Sequence, residues 1–149
     1  MASYIIEGGN RLEGIVDISG SKNASLPILA ASILNGGVSK LYNVPNIHDT
    51  QITLKILRIL GCKVDKKNGK IVIDSSKINN YEMPEDLMRQ MRSSVVLAGA
   101  ILARFKNVIF TYPRRMRYWI KTNRFTFEII KKIRNKYRWN SRLYKMQMW

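Results

Sequence analysis

Apolar and polar positions alternate in short blocks along the first 111 residues, and each block predicts one element. Tyr4-Ile5-Ile6-Glu7 reads as a short strand, Gly8-Gly9-Asn10 as a turn, and Leu12 to Ile18 as a second strand with loose alternation. The small polar loop Ser19-Gly20-Ser21-Lys22-Asn23 runs into a helix over about Ala24–Leu34. Pro27 is expected near its first turn, where a missing N–H does no harm, and Gly36-Gly37 ends it. Val38 to Val44 is a strand stopped by Pro45. Asn46 or Asp49 is positioned to cap the next helix. That helix gathers Ile52, Ile56, Leu57 and Leu60 on one face and stops at Gly61.

Lys63–Lys66 and Lys70–Asp74, joined through Asn68-Gly69, predict a hairpin with a tight turn. Ser75 to Met83 is a connection. Pro84-Glu85-Asp86 opens a third helix with acids at its positive end, and Leu87, Met91, Val95, Ala98 and Leu102 share one of its faces. Asn107–Thr111 is a strand closed by Tyr112-Pro113. The order is strand, helix, strand, helix, then paired strands. It implies an α/β fold with helices packed on a sheet, a βαβαββ-type unit.

Beyond Pro113 the pattern dissolves. Phe125, Phe127, Ile129, Ile130 and Ile133 hint at periodicity, but basic and aromatic residues fall on every side and neither Gly nor Pro punctuates 114–149. No element is predicted there. Composition sharpens the division. The whole-chain charge of +16 suggests an anionic partner. Residues 1–113, however, hold 14 Lys and Arg against 9 acids, whereas 114–149 hold 12 against Glu128 alone. Trp119, Trp139 and Trp149 all lie in the second part. The chain thus divides into 1–113 and a basic tail, 114–149, with no defined domain. No apolar run reaches membrane-spanning length. The start lacks a secretory pattern, and a lone cysteine, Cys62, excludes an internal disulfide, so a cytoplasmic setting is expected.

Candidate chemistry begins at the Ser19–Ala24 loop. Its short residues let a ligand approach the backbone, and a helix N-terminus favours an anion. Lys22 adds a full charge and Asn23 adds donors and an acceptor. On residue types alone, a solvated lysine beside an ordinary N-cap is the commoner arrangement. Arg89 and Arg92 stand at i and i+3 on the third predicted helix and suit bidentate contact with phosphate or carboxylate; a solvent-facing helix edge is the plainer reading. Ser93 and Ser94 could bond a ligand or the backbone. Cys62, after Gly61, fits buried packing, and His48, the single histidine, fits a capping or surface role.

Together these pieces carry a resemblance. Ile5-Ile6-Glu7-Gly8-Gly9-Asn10-Arg11-Leu12-Glu13-Gly14 resembles the opening of the UDP-N-acetylglucosamine enolpyruvyl transferases. So do Ile18 to Pro27, Asn43 to Asp49, and Met91-Arg92-Ser93-Ser94 followed by Leu97-Ala98-Gly99. The likeness runs from about Tyr4 to Pro113. It implies part of an inside-out α/β barrel and an enzyme that moves the enolpyruvyl group of phosphoenolpyruvate to the 3-hydroxyl of UDP-N-acetylglucosamine in peptidoglycan synthesis. The resemblance places Lys22 and Asn23 at phosphoenolpyruvate and Arg92 at the UDP-sugar. It implies no cofactor, no metal, no specific nucleic acid and no membrane partner.

The sequence departs from that family after Pro113. There the family has a Gly-Gly-Cys-Asp-Ile-Gly loop whose cysteine donates the proton to the enolpyruvyl carbon; here Arg114-Arg115-Met116-Arg117-Tyr118-Trp119 follows. Met116 takes the cysteine's slot, and a thioether has no proton to give. One synonymous choice of codons for Arg114–Trp119, AGG AGG ATG CGA TAT TGG, read one nucleotide later, encodes Gly-Gly-Cys-Asp-Ile-Gly. Suitable synonyms for Ile120–Glu128 continue in that frame as Leu-Arg-Pro-Ile-Asp-Leu-His-Leu-Lys. A single-nucleotide frameshift near the Pro113 codon is therefore expected, with the tail's charge a by-product of an A-rich gene and the chain inactive as it stands. The rival reading is a small basic nucleic-acid-binding protein that uses 114–149 for phosphates and stacking, although no recognised motif supports it. Unpartnered sheet edges and helix faces predict poor solubility.

Overall fold

The computed structural model describes residues 3–9, 11, 13–91 and 93–111, and the backbone of 135–140 and 143–148. Its elements run α1 (Lys22–Asn35), β1 (Val38–Tyr42), α2 (His48–Ile59), β2 (Lys63–Lys67), β3 (Lys70–Asp74), α3 (Glu85–Met88), α4 (Ser94–Phe105), β4 (Asn107–Thr111), β5 (Asn135–Asn140) and β6 (Leu143–Met148). β1, β3 and β2 form one antiparallel sheet in that order, and β4, β6 and β5 form a second. The helices pack on one another, α1 and α2 also on the first sheet and α3 and α4 on the second. Leu29 and Ile33 of α1, Ile52, Ile56 and Leu57 of α2, Ile71 and Ile73 of β3, and Leu97 and Ile101 of α4 share one core with Val108 and Phe110.

Local chemistry explains most boundaries. Ser21, in extended conformation, caps α1: its Oγ accepts from the Ala24 N–H at 3.4 Å. α1 ends at Gly36, whose φ of 67° is the left-handed turn a glycine makes without penalty. Pro27 falls on the sixth residue of the helix, deeper than the first turn expected for it. It offers no N–H to the carbonyl of Asn23, four residues earlier, which leaves that carbonyl without its helical partner. The Asn68-Gly69 turn has both residues at positive φ, 49° and 71°, the type I′ geometry that matches strand twist. Arg104 of α4 donates from Nη1 to the Ile33 carbonyl at 2.6 Å, placing a cation at the C-terminal end of α1. Ser75, fully buried after β3, donates from Oγ to the Ser32 carbonyl at 2.8 Å and fixes the sheet against α1.

Four expectations need correction. Among the described residues the strands expected at Tyr4–Glu7 and Leu12–Ile18 are not formed: Tyr4, Ile5, Ile6, Ile15, Val16 and Ile18 are 82–99% exposed and lie in no strand. A strand exists only through its neighbour's backbone, and the described residues supply none there. Neither Asn46 nor Asp49 caps α2. Ile47 is the N-cap, and Thr50 reaches back, its Oγ1 accepting from the Ile47 N–H at 3.3 Å and donating to the Pro45 carbonyl at 2.7 Å. The single third helix is two, α3 and α4, broken over Arg89–Ser93. Arg89 ends α3 and pairs with Glu85. Finally, the tail carries β5 and β6, where no element was predicted; β6 pairs with β4 from Asn107↔Gln147 to Thr111↔Leu143.

The opposite side of β4 is also occupied. The Met83 N–H donates to the Ile109 carbonyl at 2.9 Å, and the Ile109 N–H to the Tyr81 carbonyl at 3.1 Å, a parallel bridge centred on Glu82. This fixes the chain just before α3 against the second sheet.

Candidate functional site

Three segments distant in sequence meet at the N-terminal ends of α1 and α2. They enclose a cleft of about 400 Å³ lined by Lys22, Asn23, Leu26, Asp49, Gln90, Met91 and Ser93. α1 contributes its first turn, with Lys22 and Asn23 as its first two residues. α2 contributes Asp49 from its own first turn. The α3–α4 break contributes Gln90, Met91 and Ser93.

Each wall is held by identifiable bonds. Before α1, the Gly20 N–H donates to the Asn43 Oδ1 at 3.1 Å, and the Asn43 Nδ2 donates to the Ile18 carbonyl at 3.4 Å. Asn43 has φ 53°, a left-handed conformation that asparagine tolerates better than most residues. A Cβ on Gly20 would lie 2.0 Å from the Asn43 carbonyl oxygen, so a hydrogen is all the space allows. On the far wall Met91 is buried, with its sulfur 3.8 Å from the Thr53 Oγ1 of α2. The Thr53 hydroxyl itself donates to the Asp49 carbonyl at 2.8 Å.

The charge at the centre is paired. Lys22 Nζ lies 2.6 Å from Asp49 Oδ2, with the lysine side chain 50% exposed and the aspartate 21%. An ammonium has three donors, so this contact leaves capacity for a second acceptor. Ser93 Oγ, on the cleft wall, is buried without a hydrogen-bond partner, as is Ser94 Oγ behind it. A buried hydroxyl without a partner is costly, and an entering acceptor would relieve that cost. Among the described residues the cleft thus has a lysine paired with an aspartate, amide and hydroxyl donors, and a helix N-terminus, a set that can take a small anion.

The residues singled out from the sequence fall as follows. Lys22 and Asn23 both line the cleft. Arg92 lies outside the described residues, but its neighbours Met91 and Ser93 are on the cleft wall. Met116 also lies outside them. Arg89 is turned to Glu85. His48 is exposed at the first position of α2. Cys62 is in the core, where burial above all pushes its thiol up to about 11, so it stays protonated and unreactive at neutral pH. Asp49 and Gln90 are what sequence reasoning missed. In the sequence Asp49 is a possible cap and the last residue of the Asn43–Asp49 run, and nothing in its spacing links it to a lysine 27 positions earlier. Among the described residues no group of three or more His, Cys, Asp or Glu is placed to hold a metal, and no helix is long and apolar enough to cross a membrane.

Comparison with known proteins places this geometry in a wider setting. Residues 6–113 match the family model described as EPSP synthase (3-phosphoshikimate 1-carboxyvinyltransferase). The chain is similar to UDP-N-acetylglucosamine 1-carboxyvinyltransferase 2 of Caldanaerobacter subterraneus subsp. tengcongensis, with 45% identity over 113 residues. It is also similar to UDP-N-acetylglucosamine 1-carboxyvinyltransferase of Desulfosudis oleivorans, with 41% identity over 113 residues. Each match covers 76% of this chain and 27% of the relative's length. In fold, the chain is similar to the crystal structure of the enolpyruvyl transferase NikO from Streptomyces tendae: TM-score 0.78, 21% identity, covering 95% of this chain and 31% of that one.

Proposed function

The chain belongs to the EPSP synthase family of enolpyruvyl transferases, and from that premise we propose that residues 1–113 are the N-terminal portion of a UDP-N-acetylglucosamine 1-carboxyvinyltransferase. In this reading the intact enzyme transfers the enolpyruvyl group of phosphoenolpyruvate to the 3-hydroxyl of UDP-N-acetylglucosamine and releases phosphate. The reaction serves peptidoglycan synthesis in the cytoplasm, and with it cell shape and division. The relatives at 41–45% identity support that substrate pair.

One observation carries the site assignment. Lys22 and Asn23 share a single cleft with Met91 and Ser93, the residues on either side of Arg92. Lys22 and Asn23 are assigned to phosphoenolpyruvate and Arg92 to the UDP-sugar. Both ligands are anions, and a cleft that neutralises them while excluding water stabilises developing charge. The reading is tested by titrating phosphoenolpyruvate into the purified chain and following backbone amide resonances. Resonances of residues 20–24 and 90–94 are expected to shift at millimolar ligand. Lys22→Ala removes a charge-assisted contact of about 1.5–3 kcal/mol and is expected to weaken binding by about tenfold to a hundredfold. No shift at millimolar phosphoenolpyruvate or UDP-N-acetylglucosamine would refute the assignment.

Residues 114–149 are read as an out-of-frame translation. The family match stops at residue 113, and the tail concentrates 12 of the chain's 26 basic residues. With Met116 in the slot of the proton-donating cysteine, the chain by itself is inactive. Sequencing the gene across codons 110–120 is expected to reveal a neighbouring frame encoding Gly-Gly-Cys-Asp-Ile-Gly. If neither alternative frame does so, the tail is an authentic sequence and this reading fails.

A further inference from the structure

We propose that Asp49 is a positioning residue: its carboxylate tethers the Lys22 ammonium inside the cleft, ready to receive the ligand's anionic group. The inference rests on the assignment of the cleft to an anion. It begins from a mismatch in the structure. Lys22 is the first residue of α1, where the positive end of the helix dipole repels a cation. Its flexible four-carbon stem and half-exposed side chain give it every opportunity to turn into solvent. It nevertheless sits 2.6 Å from Asp49 Oδ2.

Asp49 is suited to the task. It lies in the first turn of α2, where the helix dipole favours a carboxylate, and it is the less exposed of the pair. Its backbone is fixed by the Thr53 hydroxyl on its carbonyl, and Thr53 in turn packs against Met91 on the opposite wall. The tether is thus anchored to the same residues that shape the cleft. It occupies one of the lysine's three donor directions and leaves the others for an acceptor. Lys22 and Asp49 are the two charged residues on the described lining, and Asp49 offsets the Lys22 charge there. Pairing one charge in advance limits the cost of holding a lone ammonium in a partly enclosed site.

Simple electrostatics and the tether predict opposite results, which makes the idea testable. Replacing Asp49 with asparagine removes a negative charge beside the anion site, and by Coulomb attraction alone it should tighten anion binding. If Asp49 positions Lys22, Asp49→Asn should instead weaken phosphoenolpyruvate binding by about tenfold. Asp49→Glu, which keeps the charge, should recover most of it. Both variants should melt within a few degrees of the parent, since a partly exposed pair contributes little to folding. The independent readout is carbon-13 relaxation at the Lys22 Cε without ligand. The signal should be ordered in the parent and in Asp49→Glu, and mobile in Asp49→Asn.

Equal or tighter phosphoenolpyruvate binding by Asp49→Asn, or an equally ordered Lys22 in that variant, would overturn the proposal. If the parent chain binds no phosphoenolpyruvate, the cleft assignment fails, and the relaxation measurement still decides whether the tether exists.

Discussion

Replacing Leu29 with alanine is expected to remove about 3–4 kcal/mol of folding stability, most of the reserve of a small domain. Leu29 is fully buried in the middle of α1, in the core where that helix meets α2 and α4. Truncating it forfeits the transfer free energy of its methyl and methylene groups and leaves a cavity that two rigid helices cannot close. Domains of this size have only about 5–15 kcal/mol in reserve, and a small core stays near the lower bound. With a urea slope of about 1–1.5 kcal/mol per molar, the midpoint should fall by about 2–4 M. Because α1 also carries Lys22 and Asn23, ligand-induced resonance shifts should vanish over the same urea range. A midpoint within 0.5 M (about the change from a surface substitution) would mean that α1 is not packed as described.

Gly20→Ala is expected to have a different signature: a moderate loss of stability, about 1–3 kcal/mol, with at least a tenfold loss of phosphoenolpyruvate affinity. The added methyl would sit 2.0 Å from the Asn43 carbonyl oxygen and 3.5 Å from the Pro45 Cδ. The oxygen belongs to the main chain immediately after β1 and cannot rotate away as a side chain would. The loop must therefore retreat, breaking the 3.1 Å bond from the Gly20 N–H to Asn43 Oδ1. Ser21, which caps α1, and Lys22 move with it. Chemical denaturation and the phosphoenolpyruvate titration together check this outcome. Unaltered affinity would show that the loop has slack to accommodate the methyl group.

The sequence was most informative where structure is local. The hairpin was legible because Asn68-Gly69 between two strand-forming runs leaves few alternatives, and the buried face of α2 because Ile52, Ile56, Leu57 and Leu60 repeat at helical spacing. It was least informative where a partner decides the outcome. Tyr4–Glu7 has strand composition, but composition says what a segment can pair with and not whether a neighbour is present. The break between α3 and α4 was hidden because Leu87, Met91, Val95, Ala98 and Leu102 keep helical spacing across it. Nothing in that spacing reveals that Met91 is buried against α2 or that residues 81–83 are bound to β4.

The tail is a further case. Pairing of β6 with β4 uses main-chain N–H and C=O groups, which every sequence without proline supplies, so it needs no apolar alternation to announce it. In the cleft, the motif pointed to Lys22 and Asn23, because a loop entering a helix is a local feature. Asp49 and Gln90 were invisible because their relation to Lys22 exists only after folding.

Asn43 ties the leading segment to the end of β1 through a single side chain. One carboxamide does for residues 18–20 what an adjacent strand would otherwise do, accepting from the Gly20 N–H and donating to the Ile18 carbonyl. Slow hydrolysis of that amide to a carboxylate as the protein ages would exchange the donor for a second acceptor, facing the Ile18 carbonyl with like polarity. A mass change of about one dalton would then free the chain at Ile18 while the Gly20 N–H kept an oxygen to bind, so the leading segment would loosen on one side of the lysine loop without any substitution in the gene.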